Sequence, residues 1–169
     1  MELMATFAQT PVLFCDAMLA SLARWLRAAG HDTALAPASA ADRAILDACR
    51  AEGRMLVTRD HHLAAHAGQS VQVVLLTGNS LDAQAIELTE QLGINWTRAP
   101  FTRCLLDNTP LQEATSEQRD RIPEQSRGLP GPFRGCPCCG RVYWPGSHVR
   151  RMQAHLEQWQ ASARPAPEP

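Results

Sequence analysis

The chain has 169 residues, is 45% hydrophobic and 20% charged, and carries a formal net charge of -1, a balance that implies one principal core plus a small appendage and excludes a chain too polar to fold. No apolar run reaches the roughly 18 residues of a membrane span, and Met1 to Gln9 join neither a basic start nor a continuous apolar stretch, so no membrane partner and a cytoplasmic location are expected. All 16 basic residues are arginine, the better planar partner for phosphate, but a lysine-free chain also arises from genomic composition, so charge alone neither demands nor forbids nucleic acid.

Val12-Leu13-Phe14-Cys15 is a short apolar run that stops on Asp16 and leads at once into Leu19, Leu22, Ala23 and Leu26 at helical spacing. This pattern predicts a buried parallel strand followed by a helix from Ala17 to Ala29, closed by Gly30. Ligands of parallel sheets gather beyond the carboxyl ends of the strands, so Asp16 is a candidate catalytic residue. Arg24 and Arg27 share another face of that helix, where a solvated surface is the plain reading and a phosphate contact the functional one. Thr33-Ala34-Leu35-Ala36 reads as a second strand bounded by Pro37. Ser39 is read as opening the next helix, with Asp42 three residues on, close to a capping box; Asp42 thus has a structural explanation beside a functional one.

Met55-Leu56-Val57-Thr58 repeats the strand pattern and leads through Arg59 to Asp60, so two strands are expected to bring two carboxylates to one sheet edge. His61, His62 and His66 read as surface residues of a short helix, because adjacent side chains diverge on a helix. Val71 to Leu76 is a further strand, followed by a helix with Asp82 in its first turn, where a carboxylate complements the helix dipole. Ile94-Asn95-Trp96 is expected as a last short strand. The alternation of strands and helices implies a parallel sheet with helices on both faces.

The character changes from Ala99, where proline, arginine and cysteine replace periodicity. Arg103-Cys104-Leu105-Leu106-Asp107-Asn108 is separated by a polar, proline-containing segment from Cys136-Pro137-Cys138-Cys139-Gly140. Crowding of three among six cysteines suits a metal knuckle better than a secreted disulfide framework. A doubled Cys-x-x-Cys is the strong pattern for tetrahedral zinc, and here the first knuckle reads Cys-x-x-Asp. Cys104, Asp107, Cys136 and Cys139 are the candidate set, with Cys138 or His148 able to stand in for Asp107, and a metal-free packed knuckle the alternative. A thiol redox couple on Cys136 and Cys139 is the weaker reading, since Cys138 would interfere with it. Met152, His155, Leu156 and Trp159 follow helical spacing and predict a helix docked on the ribbon or the sheet.

Phe14-Cys15-Asp16-Ala17-Met18-Leu19, Leu22-Ala23-Arg24-Trp25-Leu26-Arg27, Leu56-Val57-Thr58-Arg59-Asp60, Arg103-Cys104 with Asn108, and Cys136-Pro137-x-Cys139-Gly140 with Trp144-x-Gly146-x-His148 resemble the Mut7-C RNase domain family. The resemblance runs from Val12 to Trp159 and implies an α/β fold: a PIN-like three-layer arrangement with helices on both faces of a parallel sheet, plus a small C-terminal zinc-ribbon-like subdomain. On that reading residues 10–97 form the nuclease domain, 98–160 the ribbon with a terminal helix, and 161–169 a proline-rich disordered tail. Carried over by position, Asp16, Asp42 and Asp60 are the acidic set for Mg²⁺ or Mn²⁺, with Asp82 a fourth member, and Asp107 departs from the family's usual second cysteine. The expected function is metal-dependent hydrolysis of RNA, with Arg24, Arg27 and Arg59 as contacts to the RNA backbone and structural Zn²⁺ on the knuckles. A non-catalytic RNA- or protein-binding module is the alternative. Oligomeric state, RNA substrate and cleavage mode are not written in the sequence.

Overall fold

Residues 10–163 are described by a computed structural model. The expected runs at Met1 to Gln9, and most of the expected tail, lie outside the described residues. Four short strands, β1 (Leu13–Cys15), β2 (Thr33–Leu35), β3 (Met55–Thr58) and β4 (Val73–Leu75), pair in parallel in the order β2-β1-β3-β4. Side chains alternate across the pleat, so Leu13, Cys15, Met55, Val57 and Val74 join one core cluster while Phe14 and Leu56 join the other. Both faces of the sheet are therefore buried, which is why these strands read as unbroken apolar runs.

On the first face lie α1 (Ala20–Ala28) and α4 (Leu81–Leu92); on the second lie α2 (Asp42–Glu52) and α3 (His61–Ala67). A 3-10 turn, Ala17–Leu19, leads from Asp16 into α1. Past α4, a small antiparallel sheet joins β5 (Gln112–Glu113), β6 (Arg134–Gly135) and β7 (Val142–Tyr143), with α5 (Ser116–Asp120) and α6 (Glu124–Arg127) between β5 and β6 and α7 (Ser147–Ser162) closing the described chain. Phe101, Cys104, Leu105, Cys136 and Tyr143 belong to the same buried cluster as the first sheet face. The chain returns under α1 at Gly30, whose φ is +92° and where an added Cβ would lie 2.3 Å from the Ala99 carbonyl oxygen, so this position demands glycine.

Two local expectations are corrected. Ser39 does not cap the second helix: the amide of Ala40 bonds the Pro37 carbonyl at 3.0 Å, a turn that takes up Ser39 and delays the helix until Asp42, behind an Ala41 with no side-chain cap. Ile94 to Trp96 form no strand. Trp96 is wholly buried, its indole donates to Thr89 Oγ1 at 2.8 Å, and its amide donates to Gln160 Oε1 of α7 at 2.7 Å, so those groups are engaged with helices instead of β4. Helix α7 docks on α1 and α4, with Trp159 edge-on to Trp25 and Trp96 at centroid separations of 5.0 and 4.8 Å. No described helix is long and apolar enough to cross a membrane.

Candidate active edge and metal knuckles

β1 and β3 are adjacent central strands, so the segments that follow them emerge side by side at the carboxyl edge of the sheet. Asp16 directly follows β1, is 9% exposed, and its amide bonds the Val57 carbonyl at 3.0 Å. Thr58, the last residue of β3, is completely buried; its hydroxyl donates to Asp16 Oδ2 at 2.9 Å and accepts the Asp60 amide at 2.9 Å. One hydroxyl thus orients both segments. Asp60 is the N-cap of α3, with Oδ1 accepting from the amides of His62 at 2.7 Å and Leu63 at 3.2 Å. The Leu63 and His62 amides lower its pKa below the usual carboxylate value, keeping it ionised at neutral pH.

Asp42 and Asp82 are engaged elsewhere. Asp42 is exposed, with Oδ2 3.7 Å from Nδ1 of His66 in the last turn of α3. Asp82 occupies the first turn of α4, as the dipole argument expects, but its Oδ1 accepts the Trp159 indole N–H at 2.8 Å and lies 3.1 Å from His155 Nε2. The Trp159 bond and then His155 hold its pKa below the ordinary value. Among the described residues, Asp16, Asp42 and Asp60 do not form a trio with oxygens within 4.8 Å of one another.

The three arginines separate. Arg27 is 5% exposed and donates to the carbonyls of Thr33 at 2.8 Å, Leu105 at 3.1 Å and Leu106 at 2.8 Å. It ties α1 to β2 and the first knuckle, which corrects the solvated-face reading of Arg27. Arg24 is exposed. Arg59 Nη2 donates to Asn79 Oδ1, joining the β3-α3 and β4-α4 loops, while its Nε is buried with no acceptor. Sequence reasoning gave no role to Thr58, although it stands in the recognised motif, nor to Glu87, whose carboxylate accepts from the Thr77 amide at 2.8 Å and the Gly78 amide at 2.5 Å.

The second centre lies in the knuckles. Cys104, Asp107, Cys136 and Cys139 bring one donor atom each within 4.8 Å of one another, so the four could hold a metal ion such as zinc. The spacing fits a tetrahedron: Zn–S near 2.3 Å and Zn–O near 2.0 Å give edges of roughly 3.8 Å between sulfurs and roughly 3.5 Å between sulfur and oxygen. Cys104 Sγ lies 3.6 Å from Cys139 Sγ, and Cys136 Sγ lies 3.4 and 3.5 Å from the two Asp107 oxygens. Neither Cys138 nor His148 enters the group.

The two knuckles share a backbone plan. The Asn108 amide returns to the Cys104 carbonyl at 3.0 Å and the Gly140 amide to the Cys136 carbonyl at 3.0 Å. Asn108 has φ 68° where Gly140 has 73°, so Asn108 fills the left-handed position that ends a Cys-x-x-Cys-Gly knuckle. That asparagine is the signal in the sequence for a knuckle at Asp107. Burial raises the Asp107 pKa, but bonds from the Thr109 amide and hydroxyl and from the two thiols outweigh it and hold the carboxyl well below the usual range. Local desolvation and hydrogen bonds with Cys136, Cys104 and Asp107 push the Cys139 thiol up to about 12, a penalty that a cation at the centre would reverse. Burial likewise pushes Cys15 up to about 12 and Cys49 up to about 11, which makes both inert structural thiols.

These features define a parallel α/β protein with an acidic carboxyl edge and a knuckle pair able to hold a metal. The chain belongs to the Mut7-C RNAse domain family, whose pattern matches residues 11–156, most of its length. No curated protein and no solved structure matches it.

Proposed function

We propose that this protein is a metal-dependent ribonuclease of PIN-like architecture, hydrolysing RNA phosphodiester bonds at the carboxyl edge of β1 and β3. Family membership makes RNA the substrate class. The observation that carries the reading is the Thr58 hydroxyl holding Asp16 and the Asp60 segment at one edge. Asp16 and Asp60 are the primary ligands for Mg²⁺ or Mn²⁺, and an ion that keeps several waters needs few direct carboxylates. Such a cation would supply Lewis acidity to the scissile phosphate.

The protein's own groups do the rest. Asp60, anchored by two amides and strongly ionised, is suited to a fixed ligand more than to a base. Asp42, exposed and only loosely paired with His66, is the third candidate ligand. Arg59, partly exposed at the same edge, is the candidate contact to the RNA backbone. Asp82 we leave out of the ion set, because one oxygen already serves α7. Zn²⁺ on the knuckles is structural in this reading.

The deciding experiment is cleavage of a labelled single-stranded RNA with and without Mn²⁺, for wild type, Asp16→Asn and Asp60→Asn. Mn²⁺-dependent cleavage lost in both variants, with a melting temperature raised by Mn²⁺ only in wild type, is the expected result. Wild type that neither cleaves nor gains stability from the ion would favour the non-catalytic binding module.

A further inference from the structure

Between α1, the first knuckle and the start of α7 opens a cavity of about 410 Å³, within the range of small-ligand sites. Leu105, Tyr143, Trp144 and Val149 are among its apolar walls, Arg24 and Arg141 supply its charge, and the His148 imidazole adds a polar edge. No aspartate or glutamate lines it, although acidic residues outnumber Lys plus Arg in this chain, 17 to 16. Among the described residues, neither Arg24 nor Arg141 is paired with a carboxylate. Leu106, 53% exposed, adds an uncovered apolar side chain to the lining.

The walls are prearranged. An added Cβ on Gly146 would lie 2.7 Å from Trp144 Nε1, so glycine is what lets the indole lie against the backbone that enters α7. Helix α7 has no side-chain cap and no acidic residue in its first turn, where stability alone favours carboxylates; His148 and Arg150 stand there instead, followed by Arg151. The Trp144-x-Gly146-x-His148 motif, which the acidic edge does not explain, therefore combines an indole, a close backbone approach and an imidazole at the opening that Arg24 and Arg141 also line.

We infer that this cavity is a subsite for one unstacked nucleotide of single-stranded RNA, the base lying on the Trp144 side and the phosphates facing Arg24 and Arg141. An aromatic platform beside uncompensated cations is the chemistry that recognises a flat base carrying a phosphate. Helix α1 links the two sites, since it follows Asp16 through the 3-10 turn and carries Arg24. An RNA running along α1 spans both. The inference rests on RNA being the substrate class, yet it concerns binding and not cleavage.

The test is fluorescence anisotropy of a labelled 12-nucleotide RNA, without added divalent cation, on the full chain at two salt concentrations. Trp144→Ala is expected to weaken binding by about 5-fold or more, with Trp144→Phe close to wild type. Arg24→Ala with Arg141→Ala is expected to reduce the slope of log affinity against log salt by roughly 1.4. A folded Trp144→Ala protein with wild-type affinity overturns the inference, as does an unchanged salt slope in the double arginine variant. The slope decides alone if Trp144→Ala fails to fold. Wild type that binds an acidic peptide but not this RNA also overturns it. Trp144-dependent RNA binding without Mn²⁺-dependent cleavage sustains the subsite and removes the nuclease proposal; cleavage with Trp144-independent affinity does the reverse.

Discussion

The Thr58 hydroxyl stands 2.9 Å from Asp16 Oδ2, and this bond joins the ends of two parallel strands whose residues are 42 apart in sequence. Both partners are buried, so removing the hydroxyl leaves a carboxylate and the Asp60 amide short of a partner. Thr58→Val, nearly isosteric, is expected to cost about 1–3 kcal/mol in urea unfolding and to lower Mn²⁺-dependent cleavage at least tenfold, while Thr58→Ser retains most of both. Wild-type cleavage by Thr58→Val would separate this bond from the active edge.

Asp60 has two separable roles. Asn is as good an N-cap as Asp, whereas Ala is not, so Asp60→Asn should leave stability nearly unchanged and Asp60→Ala should lower the melting temperature. Both are expected to abolish cleavage. Thermal melts beside the nuclease assay check the split, and residual activity in Asp60→Asn would count against ligation by Asp60.

Arg27 is expected to behave as a strut. Its guanidinium donates to three carbonyls from β2 and the first knuckle, so Arg27→Met should destabilise by about 2 kcal/mol or more. RNA affinity of the folded variant should stay within about twofold of wild type, because so buried a group presents no charge to solvent. Anisotropy with denaturant titration measures both.

Asp82 supplies a pH dependence of known sign. Its folded pKa is depressed, so its contribution is present above the unfolded carboxylate pKa, near 3.9, and is lost as pH falls through the lower folded value. Wild type should exceed Asp82→Asn in stability at neutral pH, with the gap closing below about pH 4. Tryptophan emission reads the event, since Trp159 packs on Trp25 and Trp96. A gap independent of pH would show that the charge of Asp82 does not hold α7.

The altered knuckle gives a prediction about metal. Purified protein should carry zinc at or below one equivalent, and Asp107→Cys should slow its removal by a chelator, because thiolate is the softer ligand. Cys136→Ser should lower the melting temperature and reduce the zinc content. Equal retention by wild type and Asp107→Cys would leave packing alone as the role of the knuckles.

The sequence by itself determined the parallel α/β order, because unbroken apolar runs and helical periods follow from burying both sheet faces. It also named Cys104, Asp107, Cys136 and Cys139 as candidates, since the spacing within each knuckle is local, but only the fold joined the two knuckles and left Cys138 and His148 outside. Only the tertiary structure decided what Arg27, Asp82 and Thr58 do, since each side chain acts on groups from distant segments. Arg27 and Arg24 share a helix in sequence, yet one is buried under Leu105 and Leu106 and the other is exposed. Asp82 stands where a dipole partner belongs and gains its bonds to Trp159 and His155 only when α7 folds back over α4, while Ser39 loses its cap role because the chain turns at Pro37. Periodicity and spacing record each residue's neighbours along the chain, whereas a hydrogen-bond partner some forty to eighty residues away is set by how the layers pack.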